Sequence, residues 1–113
     1  MKNTHNEIWI VLIGLYPSQT NTIINQNQGA YANILLIARD LEDYKRKAIS
    51  FLSKMNFDVF EMEDIERFDK RIQNYEVDST IMVLAKSVQI QQIPHISTLH
   101  VFDREDFVKK NMT

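Results

Sequence analysis

Acidic side chains concentrate in one short stretch of this chain. Between residues 58 and 69, six carboxylates stand against the single arginine Arg67; the six are Asp58, Glu61, Glu63, Asp64, Glu66 and Asp69. A negative surface of this kind speeds the encounter with a basic partner and adds specificity. Carboxylates also gather on solvated strand edges and at helix N-termini, where the helix dipole favours them. The stretch therefore predicts either a docking surface for a basic protein or an ordinary solvated face.

Residue types that could support catalysis are present, but their spacing carries no recognisable motif. His95 and His100 lack a third ligand at a spacing that would complete a metal site, and His5 lies far from them in the sequence. His100 could act as a general base because an imidazole titrates near neutrality, but its setting also fits a strand position that faces solvent. The two glycines, Gly14 and Gly29, cannot form a glycine-rich phosphate loop. We therefore predict no catalytic residue, no metal site and no cofactor.

Length and composition limit the class of protein. The 113 residues predict one domain, 1–113, and the 44% hydrophobic and 25% charged content is that of a globular protein. A net charge of −2 argues against a nucleic-acid partner. The longest apolar run, 8–16, is too short to span a bilayer, and 1–7 lacks the layout of a signal peptide. The absence of cysteine fits a reducing compartment. These features predict a cytoplasmic protein without a membrane partner.

The first half of the chain predicts two strands and a helix. Residues 8–16 are apolar almost without interruption, as in a strand buried on both faces. A polar loop, 17–29, separates them from a second strand over 30–38, which can pair antiparallel with the first. Asp40 then has the position of a helix N-cap, and apolar residues at steps of three and four predict an amphipathic helix to Met55.

The second half predicts shorter elements. Residues 57–63 alternate in part as in a half-buried strand, and Asp64 can cap a short helix after it. Residues 79–93 fit either a helix or a strand. We favour a helix because the polar residues of this segment then lie outside its apolar stripe. Residues 96–102 alternate well enough for a last strand, and 103–113 predict a polar tail. Together these elements predict an α+β fold: a single four-stranded, mostly antiparallel sheet with two or three helices on one face, a ferredoxin-like variant.

About a third of the chain, residues 29–66, combines three features. They are the block Gly29-Ala30-Tyr31-Ala32-Asn33, the capped amphipathic helix, and Asn56-Phe57-Asp58-Val59 followed by Glu61-Met62-Glu63-Asp64-Ile65-Glu66. This part of the chain resembles small immunity proteins of contact-dependent and other polymorphic bacterial toxin systems. Such proteins are α+β, acidic, cytoplasmic and without a catalytic motif. The resemblance implies a protein that binds and neutralises a cognate toxin.

Three hypotheses of function follow from these observations. The first is an immunity-type protein, not an enzyme, that occludes the active site of a basic toxin such as a nuclease; its partner-binding residues would be Tyr31, Glu61, Glu63, Asp64, Glu66 and Asp69, with Trp9 as a further apolar anchor. The second is a small dimeric α+β-barrel enzyme that acts on an apolar substrate through His100, Trp9 and Asn33. The third is a module that only forms homo-oligomers through its sheet. A deep apolar cleft between sheet and helix would favour the enzyme.

Overall fold

The computed structural model describes residues 7–104, which form five strands and three helices. In chain order they are β1 (Glu7–Pro17), β2 (Gln28–Ala38), α1 (Leu41–Lys54), β3 (Phe57–Arg67), α2 (Phe68–Asn74), α3 (Ser79–Gln91), β4 (His95–Ile96) and β5 (His100–Asp103). His5 and most of the predicted polar tail lie outside the described residues.

The strands form one antiparallel sheet in the order β3-β1-β2-β4, and β5 also pairs with β2. β4 pairs with Ile34 and Leu35, whereas β5 pairs with residues 28–31, so the two short strands share one edge of the sheet. The predicted α+β class, with a mostly antiparallel sheet, is confirmed.

The helices lie on both faces of the sheet, which differs from the predicted placement on one face. On β1, Val11 and Ile13 point into a core with α1, while Ile10 points into a second core with α2 and α3. The reason is the unbroken apolar character of β1 and β2. A strand that is apolar on both sides needs cover on both, and this chain supplies much of that cover itself.

Helix α1 begins and ends as the sequence predicts. The Asp40 carboxylate accepts a hydrogen bond from the Asp43 backbone N–H at 2.8 Å, which satisfies a free donor of the first turn. Tyr44 and Leu52 are buried against the sheet. After the helix, Asn56 adopts a φ of 65°, a left-handed conformation that asparagine tolerates better than most residues.

Asp43 is a buried carboxylate held by positive groups. It accepts a hydrogen bond from the Arg39 backbone N–H at 3.0 Å, and it pairs with Lys47 at 3.2 Å and with Arg46. The Arg39 hydrogen bond, with help from Lys47, lowers the pKa of Asp43 from 3.8 to about 2. The folded state therefore binds the Asp43 proton more weakly than the unfolded chain does.

This shift predicts a pH dependence of stability. Because the folded pKa of Asp43 lies below the unfolded value, its contribution is complete above pH 3.8 and falls as the pH approaches about 2. We expect the difference in free energy of unfolding between wild type and Asp43→Asn to shrink over that window. Urea unfolding at several pH values measures it. A difference that stays constant from pH 5 to pH 2 would contradict the assigned ion pairs.

The strand β3 extends further than predicted, and Asp64 does not cap a helix. Residues Glu66 and Arg67 still pair with Ile10 and Trp9 of β1. The ladder shifts register between Ile10 and Leu12, and Asp64 takes up the irregularity with a φ of 56°. Pairing with β1 thus carries the chain past the predicted cap, and α2 begins only at Phe68, with no side-chain cap.

The region 79–93 is a helix over most of its length, the alternative that we favoured from the sequence. Asp78 caps it by accepting a hydrogen bond from the Thr80 backbone N–H at 2.8 Å.

The predicted last strand, 96–102, is interrupted. Ser97 accepts a hydrogen bond on its Oγ from the Asn33 N–H at 2.8 Å, while its own N–H donates to the Asn33 carbonyl at 2.9 Å. A side chain replaces a ladder bond there, which separates β4 from β5.

Candidate partner-binding surface

Four aromatic side chains meet on the face of the sheet that also carries α2 and α3. Tyr16, Tyr31, Phe60 and Phe102 come from β1, β2, β3 and β5, and each is half-buried. Tyr16 stacks on Phe60 with ring centroids 4.2 Å apart, and Tyr31 meets the edge of Phe60 at 5.7 Å. Tyr31 also lies 5.6 Å from Phe102. We call these four residues the aromatic cluster.

Two glycines make room for the cluster. A Cβ at Gly14 would lie 2.6 Å from Cζ of Phe60, and one at Gly29 would lie 2.5 Å from Cζ of Phe102. Both distances are too short for a real Cβ, so the rings can lie on the strands only above glycine. Each ring also covers the strand position where glycine has no side chain, and so supplies the packing that the glycine lacks.

One cation caps an end of the aromatic cluster. The guanidinium carbon of Arg104 lies 3.7 Å from the centroid of the Tyr16 ring, a cation–π contact. Together with the Phe60 stack, this contact fixes the Tyr16 ring in place.

Two carboxylates adjoin the cluster. The Tyr31 hydroxyl donates to Oε1 of Glu61 at 3.2 Å. Partial burial, together with this hydrogen bond, raises the pKa of Tyr31, so the phenol stays protonated. A hydrogen bond with Glu61 and the charge of that group raise the pKa of Glu63. The two carboxylates therefore repel each other, and a cation placed beside them would relieve the repulsion.

A cleft of about 560 Å³ continues this surface toward the helices. Its floor includes Ile10 and Asn33, and its walls come from the end of β3 and the connection between α2 and α3. Its charged lining consists of Asp64, Glu66, Glu76 and Asp78 together with Arg71. Asn33 and Glu63 both pair with Leu12 in the sheet, so the cleft adjoins the Glu61–Glu63 pair directly.

The single arginine of the cleft is already occupied by protein groups. Arg71 donates from Nε to the Glu66 carboxylate and from Nη2 to the Asp64 carbonyl oxygen at 2.9 Å. Four carboxylates against one guanidinium leave the cleft lining with a formal charge of −3. Tyr75 is exposed beside it. The cleft is therefore suited to a cationic group, with an aromatic ring available for a cation–π contact.

No known protein family, curated protein or solved structure matches the chain. The function has to be argued from the surface formed by the cleft, the Glu61–Glu63 pair and the aromatic cluster, which we call the cleft–cluster surface.

The structure brings together five of the six residues predicted to bind a partner. Tyr31, Glu61, Glu63, Asp64 and Glu66 lie on the cleft–cluster surface. Asp69 lies elsewhere: it is 3.8 Å from Arg67 and lines a different groove. The reason is that β3 carries the chain to the sheet end before α2 begins, so Asp69 faces away from the cleft.

Sequence reasoning missed several residues of this surface. Glu76 and Asp78 reach the cleft because the connection between α2 and α3 folds back over the end of β3. Tyr16, Phe60 and Phe102 join Tyr31 only through strand pairing. A usable signal for them existed in the two glycines of β1 and β2, since glycine inside a strand often marks the close approach of another group.

Other candidates from the sequence have structural roles. Trp9 donates from Nε1 to the Ala38 carbonyl at 3.2 Å and packs on Tyr44, in the α1 core. In the polar loop, the Asn21 side chain is buried; it donates to the Asn56 carbonyl at 2.6 Å and accepts from Ile23 N–H at 2.8 Å. The loop is thus tied to the end of α1.

The remaining histidines give no site within residues 7–104. His95 Nε2 hydrogen-bonds Oε1 of Gln91 at 2.8 Å, and His100 is exposed on β5. This part of the chain contains no cluster of three or more His, Asp or Glu side chains that could hold a metal ion. None of its helices is long and apolar enough to cross a membrane.

Proposed function

We propose that this chain is a cytoplasmic binding protein that neutralises a basic protein toxin on its cleft–cluster surface. The observation that carries the proposal is the continuity of a cleft of charge −3 with a cluster of four aromatic rings. Aromatic residues are the commonest energetic anchors of protein interfaces, and complementary charge selects the partner and speeds its approach.

The cleft would receive a lysine or arginine side chain of the toxin. Glu76 forms no ion pair within residues 7–104, and Arg71 binds Asp64 only at its backbone carbonyl, so the carboxylates of Glu76 and Asp64 can both accept a partner's donors. Tyr75 can lie over such a cation. A guanidinium is favoured over an ammonium because it can donate two parallel hydrogen bonds to a carboxylate and stack on an aromatic ring at the same time.

The aromatic cluster would supply the apolar part of the interface. Tyr31 and Tyr16 have large rings that are fixed by their neighbours, so little side-chain entropy is lost on binding. The Glu61–Glu63 pair lies between the cluster and the cleft and adds two more acceptors.

A nuclease is the toxin class that fits this surface best, since its phosphate-binding face is basic. An acidic surface that binds this face would exclude the nucleic acid and block the active site. The resemblance to immunity proteins agrees with this mechanism, which needs no catalytic residue and no cofactor of the chain itself. The enzyme hypothesis receives less support, because only one of its three candidate residues, Asn33, lines the cleft. Trp9 packs in the α1 core, and His100 is exposed on β5.

The experiment is affinity capture from a lysate of the source organism, followed by mass spectrometry. We compare wild type with Glu63→Lys/Glu76→Lys, which reverses two exposed charges of the surface that form no ion pair within the described chain. We expect wild type to retain one basic protein in stoichiometric amount and the variant to lose it. The purified partner should have nuclease activity that wild type inhibits.

A matched control separates the surface from net charge. Glu42→Lys/Asp103→Lys makes the same change in total charge at exposed residues outside the cleft and the cluster. We expect this control to retain the partner as wild type does. If both double variants lose the partner equally, or if wild type retains no protein from a lysate in which toxins are expressed, the proposal is wrong.

A further inference from the structure

A second cavity, beside α1, is opposite in charge to the acidic cleft. It has a volume of about 470 Å³ and lies between the second half of α1, the end of β2 and the connection from α3 to β4. Among the described residues, its charged lining consists of three cations, Arg46, Lys47 and Lys54. The helix dipole favours a cation in the last turn, where Lys54 lies, but Arg46 and Lys47 lie in the middle of α1. We call this space the basic cavity.

The cations around the basic cavity share a single carboxylate. Asp43 pairs with Arg46 and Lys47, and its Oδ2 also lies 3.6 Å from Nε of Arg39. Within residues 7–104, no other carboxylate pairs with these three cations, and Lys54 forms no ion pair. Asp43 therefore holds two cations of the lining in place, but it leaves the basic cavity with a surplus of positive charge.

Hydrogen-bond donors of the basic cavity remain free for a ligand. The Lys47 ammonium has three donors, and protein groups use two of them: the Ile37 carbonyl at 3.0 Å and Asp43 at 3.2 Å. Arg46 contacts Asp43 through Nη2 and keeps the donors on its other guanidinium nitrogens. Lys54 Nζ donates to no acceptor within residues 7–104. The three side chains can therefore donate together to an anion that carries several oxygens.

The open edge of β2 adds a backbone donor. Asn33 exchanges two hydrogen bonds with Ser97 on this edge, and because backbone groups alternate along a strand, those of Ile37 face the same edge. Pairing with β4 stops at Leu35, so the edge is open at Ile37, which lines the basic cavity. The Ile37 carbonyl accepts from Lys47, but its N–H has no partner within residues 7–104. An oxygen of a ligand can accept from this N–H.

Most of the remaining lining of the basic cavity is apolar. It consists of Leu36, Ile37, Phe51, Ile93 and Pro94, next to the polar side chains of Ser50 and Gln92. Ile93 is 53% exposed, so a ligand with an apolar part would remove apolar surface from water there. The volume of the cavity lies within the range of about 300–1,000 Å³ that is usual for small-molecule sites. The lining therefore suits an anion that also carries an apolar ring.

We propose that the basic cavity binds a small organic phosphate, that is, a phosphate monoester joined to a flat apolar group. The phosphate accepts hydrogen bonds from Arg46, Lys47 and Lys54, and the apolar group lies against Phe51 and Ile93. A phosphate is favoured over a carboxylate because its higher charge and its additional oxygens match the positive surplus and the number of free donors. The site shares no lining residue with the acidic cleft, so its test is independent of toxin binding.

Isothermal titration calorimetry of the full chain tests the site with four probes: adenosine monophosphate, phenyl phosphate, inorganic phosphate and adenosine. We expect at least one of the two organic phosphates to bind about tenfold more tightly than inorganic phosphate or adenosine, because only they combine the charge with a ring. Tighter binding of adenosine monophosphate than of phenyl phosphate identifies a nucleotide as the ligand. The reverse order, or equal binding, identifies an aryl phosphate that needs no nucleoside.

Three variants separate a formed site from surface lysines. Lys54→Ala should weaken binding of the organic phosphate about tenfold, because it removes one charged donor. Ser50→Phe fills part of the basic cavity without a change of charge and should weaken binding as well. Lys70→Ala, on the exposed surface of α2, makes the same charge change as Lys54→Ala outside the cavity and should bind as wild type does. Circular dichroism checks that each variant is folded.

Three outcomes would overturn the proposal. The first is that wild type binds neither organic phosphate at about 1 mM, a concentration that detects even weak sites. The second is that inorganic phosphate binds as tightly as both organic phosphates, which would mean an adventitious ion only. The third is that Lys54→Ala binds as wild type does, or that Lys70→Ala weakens binding equally.

Discussion

Replacing Tyr44 by alanine should lower the free energy of unfolding by about 3–5 kcal/mol, the usual loss for a large buried aromatic side chain. Tyr44 is completely buried between α1 and the sheet, and its ring lies 6.3 Å from that of Trp9. Its hydroxyl donates to the Ile34 carbonyl at 3.0 Å, and burial raises its pKa. Because small domains are stable by about 5–15 kcal/mol, this loss removes a large fraction of the total.

Urea unfolding followed by the fluorescence of Trp9, the single tryptophan, measures this effect. Tyr44→Phe is the control, because it keeps the ring and removes only the hydroxyl. We expect it to cost about 1–2 kcal/mol, since it leaves the Ile34 carbonyl without its donor. If Tyr44→Ala lowers the free energy of unfolding by no more than Tyr44→Phe does, the ring does not fill the core as described.

Gly14→Val should destabilise the fold by about 2 kcal/mol, as overpacking does, although valine is a better strand former than glycine. The new Cβ would lie 2.6 Å from Cζ of Phe60, so the Phe60 ring has to move. Moving it breaks the stack on Tyr16 and the edge contact with Tyr31. We therefore also expect Gly14→Val to weaken partner binding, without any change of charge.

A double-mutant cycle separates this clash from other effects of valine. In a Phe60→Ala background the obstacle is gone, and Gly14→Val should then be neutral or stabilising by up to about 1 kcal/mol, as strand propensity predicts. Urea unfolding of the four proteins gives the coupling between the two positions. If the changes in free energy of unfolding caused by the two single substitutions simply add in the double variant, Phe60 does not lie on Gly14.

The sequence by itself determined the elements whose information is local. The apolar runs of β1 and β2, the three- and four-residue steps of α1, and the cap at Asp40 depend on neighbours a few residues away. The acidic stretch from Glu61 to Glu66 also stays together in space, because it lies along one strand. These features need no knowledge of distant contacts.

Only the tertiary structure decided the rest, since it depends on pairing between distant segments. Pairing of β3 with β1 extends the strand past Asp64 and separates Asp69 from the cleft. Two hydrogen bonds between Ser97 and Asn33, one of them to the Ser97 side chain, interrupt the last strand. The cleft gains Glu76, and the aromatic cluster gathers rings from four strands, because the sheet brings together residues far apart in the chain. A one-dimensional pattern records which side a residue faces, but not which distant residue it meets there.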